Sequence, residues 1–142
     1  MRNISSSIQE NLALYRLAVA SSELSADFGA ARAVDGLSVT RWSPSLAEAN
    51  PWIFIDLGDV HALSHIMVLW GEFYPSSYLI QGKVFETDEW TTLAVSMGSA
   101  LLLRSDLPQP TFARWVRVVS QSAGDLRLWE FQVRNGGFVD VT

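Results

Sequence analysis

Short runs of alternating apolar and polar residues, separated by turn-forming glycine, proline and asparagine, fill most of the chain. The alternation predicts strands over residues 17–21, 52–57, 62–70, 77–85, 91–95, 100–103, 112–119 and 128–133. In the segment Trp115-Val116-Arg117-Val118 the two valines point inward and their neighbours outward. Gly58-Asp59 and Gly71 read as turns that end strands. Only residues 29–34 have the composition of a helical turn, and Pro108 and Pro110 lie between strands, where a missing N–H does no harm. About eight short strands at turn-separated spacing predict an all-β sandwich or barrel. Trp52, Trp70, Trp115 and Trp129 fall on strands and read as core or half-buried sheet residues, whereas Trp90 follows Asp88-Glu89 and closes a hairpin.

One end of such a sandwich gathers the segments 22–28, 43–51, 71–76 and 120–126, and binding residues tend to sit on loops that a rigid scaffold holds. The stretch from Ala33 to Trp42 has its own chemistry. Asp35-Gly36 favours a tight turn, because glycine takes positive φ without a steric penalty. A loop folded back there turns carbonyls inward beside the Asp35 carboxylate and the Thr40 hydroxyl. Such an oxygen nest suits a hard cation such as calcium; the alternative is an ordinary turn with Trp42 in the core.

At 142 residues and 49% hydrophobic composition the chain has the size of one domain and enough apolar surface for a real core. It has no cysteine, which excludes disulfides, zinc–thiolate sites and thiol catalysis. The net charge is −5 and no basic stripe exists, which argues against nucleic acid and against anionic membrane surfaces. No apolar run reaches the roughly 18 residues of a membrane-spanning helix. The first residues are polar and serine-rich, without the apolar core of a signal peptide, so residues 1–10 read as a leader or linker. Residues 11–134 read as the domain, and 135–142, opening on Asn135-Gly136-Gly137, as a tail or linker. No catalytic constellation stands out. His61 and His65 are four apart, but on a turn and a strand, and Asp56 and Asp59 sit at a turn as solvated caps.

Seven motifs occur in order: Asn11-Leu12-Ala13; Ala20-Ser21-Ser22-Glu23; Ala33-Val34-Asp35-Gly36 with Thr40-Arg41-Trp42; Trp52 with Ile55-Asp56-Leu57-Gly58; Ser77-Tyr78-Leu79-Ile80-Gln81; Arg114-Trp115-Val116-Arg117-Val118; and Leu128-Trp129-Glu130-Phe131-Gln132-Val133. In this order and spacing they resemble the discoidin family, or coagulation factor 5/8 type C domains, most closely the bacterial family 32 carbohydrate-binding modules. The resemblance implies a β-sandwich jelly roll of the galactose-binding-like kind with one structural calcium. Its ligands would be the Asp35 and Glu130 carboxylates, the Thr40 hydroxyl and carbonyl, and backbone carbonyls near Arg32, Leu37 and Trp129. The alternative for Glu130 is a partner for Arg41 or Arg117.

The resemblance also implies a non-catalytic module that binds a glycan, of galactose type or another sugar. It would be extracellular or at a cell surface, as part of a larger enzyme or surface protein. Galactose-binding relatives commonly use a Glu in the first loop, which Glu23 matches, and a His after the tryptophan of the calcium loop, where Ser43 stands here. The loop Gly71-Glu72-Phe73-Tyr74-Pro75 offers Phe73 or Tyr74 as a stacking platform and Glu72 as an acceptor. Asp125, with Ser122 and Arg127, lies in the last loop at the same end. The alternative for the two aromatics is packing against the sandwich end, and the competing function is a discoidin-type adhesion or protein-interaction domain without a sugar site.

Overall fold

The computed structural model describes residues 10–135. The readings of the leader and of the glycine-rich tail fall outside this range, except at Glu10 and Asn135. Seven strands follow in order: β1 (Leu17–Ala20), β2 (Trp52–Leu69), β3 (Ser77–Lys83), β4 (Thr91–Met97), β5 (Leu103–Asp106), β6 (Phe112–Ser120) and β7 (Glu130–Asn135). All pairings are antiparallel. One sheet has the order β1-β2-β6-β3-β4; the other pairs β5 and β7 with the far half of β2. Short 3-10 turns at Ala26–Phe28 and Ala30–Ala33 precede β2.

The two strands expected at 52–57 and 62–70 are therefore one strand. The register shifts between Asp56 and His61, and Gly58 takes φ +88° there. A turn signal inside a long strand has become a bulge, which bends β2 so that its first half serves one sheet and its second half the other. The run at 100–103 is displaced to Leu103–Asp106, and the last strand begins at Glu130 rather than at 128. Trp70 and Trp129 accordingly lie just outside strands, whereas Trp52 and Trp115 lie within them.

Between the sheets sit Ile53, Ile55, Leu57, Val116, Val118, Tyr78 and Ile80 from one side and Leu63, Ile66, Val68, Phe131 and Val133 from the other, all buried. Val116 and Val118 face inward, as their alternation requires. Asp56 is no solvated cap: the Arg114 guanidinium holds its two oxygens at 2.8 and 3.0 Å, while Oδ1 also accepts from Gly58 N–H. His65 is buried on β2, with Nδ1 2.9 Å from the Ser64 hydroxyl.

Candidate functional site: the loop end

The segments expected at one end do meet there. Arg127 N–H donates to the Phe73 carbonyl at 3.0 Å, and Ser76 N–H donates to the Ser122 hydroxyl at 3.1 Å, which ties the loop after β2 to the loop after β6. Leu24 N–H donates to the Ser43 carbonyl, and Ser43 N–H to the Phe28 carbonyl, joining the first loop to the segment before β2. Trp42 anchors the whole end. It is buried, pairs through its backbone with Leu128 in both directions at 2.9 Å, and donates Nε1–H to the Ser22 carbonyl at 2.9 Å. The Glu48 carboxylate gathers the hydroxyls of Ser21 and Ser22 at 2.7 and 2.5 Å.

On this frame stands a rim of rings and guanidinium groups. Arg127 lies 3.8 Å over the Phe73 ring and makes a two-pronged ion pair with Asp125 at 3.0 and 2.9 Å. Arg41 lies 4.0 Å over Phe28 and 5.3 Å from the Trp129 ring centre. Burial, and then the neighbouring Arg127 charge, lower the Arg41 pKa, with Asp125 partly offsetting them. The Arg127 hydrogen bonds hold the Asp125 carboxyl below the usual carboxylate range. Gly71 has φ +66°, and a Cβ there would come within 3.0 Å of Trp129 Nε1, so the missing side chain is what leaves room for the indole.

The expected ligand residues separate under this geometry. Glu72, Phe73, Tyr74 and Asp125 are exposed at the loop end. Glu23 is also exposed, with its carboxylate accepting from Ala30 N–H at 2.8 Å. Ser43 is different. It is buried, and its hydroxyl accepts from Arg41 Nε at 3.0 Å. Its side chain thereby supports Arg41. Arg41, Phe28 and the Trp129 ring are not visible to sequence reasoning as rim residues. Periodicity puts Trp129 on a strand, and nothing local in the sequence shows that Arg41 stacks between rings from two distant segments.

The Asp35 loop folds back as its turn dipeptide predicts, with Gly36 at φ +77°. The Thr40 hydroxyl sits 2.5 Å from Asp35 Oδ2 and 3.4 Å from both the Arg32 and Leu37 carbonyls, and Asp35 Oδ1 accepts from Leu37 N–H. Three of the expected oxygens thus gather around a fourth, the Thr40 hydroxyl. Glu130 and Trp129 lie at the start of β7, which packs against the 3-10 turn that carries Arg32. Glu130 accepts from Gln132 Nε2 and pairs with neither Arg41 nor Arg117 in any hydrogen bond or ion pair seen among the described residues. The atoms gathered at Thr40 are all oxygens, a donor type that suits a hard cation and not zinc. No group of three or more His, Asp or Glu side chains suited to a metal occurs among the described residues.

Comparison with known proteins bears on the family and the fold. The F5/8 type C domain family profile matches residues 18–131. No curated protein matches the chain. Among solved structures, a mutant form of chitosan-binding module 1 from a chitosanase/glucanase of Paenibacillus sp. IK-5 is 31% identical. It aligns over 90% of this chain and 100% of that one, with a TM-score of 0.84. Chitosan-binding module 2 of the same enzyme, solved with chitotriose, is also 31% identical, over 87% of this chain and 98% of that one, with a TM-score of 0.80. A family 32 carbohydrate-binding module of Clostridium perfringens aligns over 89% of this chain and all of its own, at 22% identity and a TM-score of 0.77, and so speaks for the fold alone. The sandwich is of the galactose-binding-like kind, and the chain belongs to the F5/8 type C domain family.

Proposed function

We propose that this domain is a non-catalytic glycan-binding module, that its loop end takes amino-sugar chains of the chitosan kind, and that a calcium ion in the Asp35 loop stiffens that end. The likeness over full module length to two chitosan-binding modules carries the reading. The chemistry of the rim agrees with it. A sugar ring has an apolar C–H face and a polar hydroxyl edge; the Phe73, Tyr74 and Trp129 rings suit the first, and Arg41, Arg127 and Asp125 suit the second. Glucosamine units carry ammonium groups, which the exposed Glu23 and Glu72 carboxylates and the net charge of −5 attract. This reading takes the place of a galactose-type ligand, against which the serine at position 43 also speaks.

The calcium would be held by the Asp35 and Glu130 carboxylates, the Thr40 hydroxyl, and the carbonyls near Arg32, Leu37 and Trp129. When bound it supplies rigidity, by neutralising two carboxylates that otherwise repel. The same reading has the domain outside the cell, attached to an enzyme that acts on the polymer it holds.

Calorimetric titration with chitotriose, beside cellotriose as a neutral control, tests the binding reading. Binding of chitotriose at the loop end that Trp129→Ala and Arg127→Ala remove supports it. Silence towards chitotriose, or equal binding of the neutral sugar, contradicts it.

A further inference from the structure

We propose that the end of the sandwich opposite the loops is a second binding site for amino-sugar chains, which makes the module bivalent. The proposal rests on the chitosan-type reading given above, but on different residues.

Along β3 the inward positions are Tyr78, Ile80 and Gly82. The first two fill the space between the sheets; the third has no side chain to do so. Beside this end of β3 opens a cleft of about 540 Å³, bounded by Gly82, Leu93 and Phe112 and flanked by Pro108 and Pro110. That volume lies within the range of small-ligand sites, about 300–1,000 Å³. The missing side chain at Gly82 lets Leu93 and Ala113 close in against the strand, since a Cβ there would come within 2.9 Å of Leu93 and 3.3 Å of Ala113.

The chemistry of the cleft names its occupant. The Phe112 ring is 55% exposed, which leaves a face for the C–H side of a sugar. Asp88, Glu89 and Thr91 line the cleft and are exposed. Lys83 lines the cleft as well, with its ammonium donating to the Glu86 carbonyl at 2.7 Å and lying 4.6 Å over the Trp90 ring. One Asp88 oxygen accepts from Phe85 N–H at 2.9 Å, which fixes that carboxylate in place. Its negative charge and that of Glu89 outweigh the single Lys83 charge, which leaves the lining net negative towards a ligand ammonium. An aromatic face beside acidic side chains fits a glucosamine unit better than a neutral or anionic sugar.

The loop after β2 leads into the first residue of β3, and the cleft surrounds its last. Seven residues of extended chain separate the two ends by roughly 20 Å. The two sites would engage separate stretches of polymer, so affinity for long chains would exceed that for a trisaccharide.

Calorimetric titration of the intact chain with chitotriose gives two equivalents bound if the inference holds. Phe112→Ala and, independently, Glu89→Gln reduce this to one while leaving the loop-end binding intact, and lower apparent affinity for chitosan polymer about tenfold or more. Glu89→Gln changes an exposed side chain and guards against misfolding of the first variant. One equivalent in the wild type, lost with Arg127→Ala, overturns the second site and leaves the loop-end reading standing. Two equivalents that survive both cleft variants also overturn it. No binding of chitotriose to any form overturns both.

Discussion

At Arg41 and Arg127 the guanidinium carbons lie over aromatic rings, 4.0 Å from the Phe28 centre and 3.8 Å from the Phe73 centre. A planar cation over a ring can still donate from its edge, as Arg41 does to Ser43 and Arg127 to Asp125, which is why arginine rather than lysine suits such a rim. Arg127→Lys should therefore weaken chitotriose binding by roughly tenfold, the equivalent of about 1.4 kcal/mol, although charge is kept. Gly71 sets the other half of the geometry. Gly71→Ala forces a left-handed φ on alanine, at about 1–2 kcal/mol, and pushes its new methyl towards Trp129; thermal melts and titration of the variant should both show a loss. His65 offers a check remote from the site. Burial lowers its pKa, the Arg104 and Arg134 charges lower it further, and Asp106 partly offsets them. A folded pKa below that of the unfolded chain, about 6.5, means that stability is complete above that pH. It is then lost as pH falls towards the folded value, because the unfolded state takes the proton first. Melting temperature should drop as pH falls from neutral through the unfolded pKa, and His65→Gln should remove that part of the slope. A flat profile in the wild type would contradict the buried neutral imidazole.

At the scale of elements, β2 organises the molecule. One chain of eighteen residues serves both sheets, and the bulge at Gly58 makes the change of direction. The outer face of its first half carries a layer of alternating rings and cations. Trp52 stacks on Phe54 at 5.8 Å, Arg117 lies 4.5 Å over Trp90, and Arg114 lies 4.4 Å over Trp115. Period-two alternation makes most strands legible in the sequence, including the inward valines of β6. It cannot show that Gly58-Asp59 is a bulge rather than a turn, because the local signal for both is a glycine at positive φ. Nor can it place Trp129, whose role depends on where β7 starts by one residue. The Asp35 loop is legible because a turn dipeptide and its oxygens lie within one short stretch. The Arg41 stack is not, because its rings come from segments near residues 28 and 129. The anchoring of the loop end predicts a sharp penalty for Trp42→Ala: about 3–5 kcal/mol, the usual range for emptying a buried aromatic position. Urea unfolding measures it, and a loss below about 1 kcal/mol would mean that the loop end does not depend on Trp42.

At the scale of the molecule, the fold separates support from recognition. A sandwich core holds the loops, and the ends, not the faces, carry the candidate sites. The calcium reading belongs to this scale, since it couples the loop before β2 to the start of β7. A ligand that binds only the native state at one hundred times its Kd adds about 2.7 kcal/mol. For a domain of this size that is a rise in melting temperature of several degrees, on the order of 2–4 °C per kcal/mol. Calcium should raise the Tm, chelation should reverse the rise, and Asp35→Ala should make the Tm indifferent to both. A wild-type Tm that chelation leaves unmoved contradicts a calcium site.

The most direct test of glycan recognition at the loop end is an amide and indole NMR titration of the labelled domain with chitotriose. The six tryptophans give separate indole reporters. The Trp129 indole and the Arg41 and Arg127 Nε signals should shift with a common dissociation constant, while the buried Trp70 indole stays in place. Saturation with chitotriose that leaves the Trp129 indole and both arginines unmoved would contradict the assignment of the loop end as the sugar site.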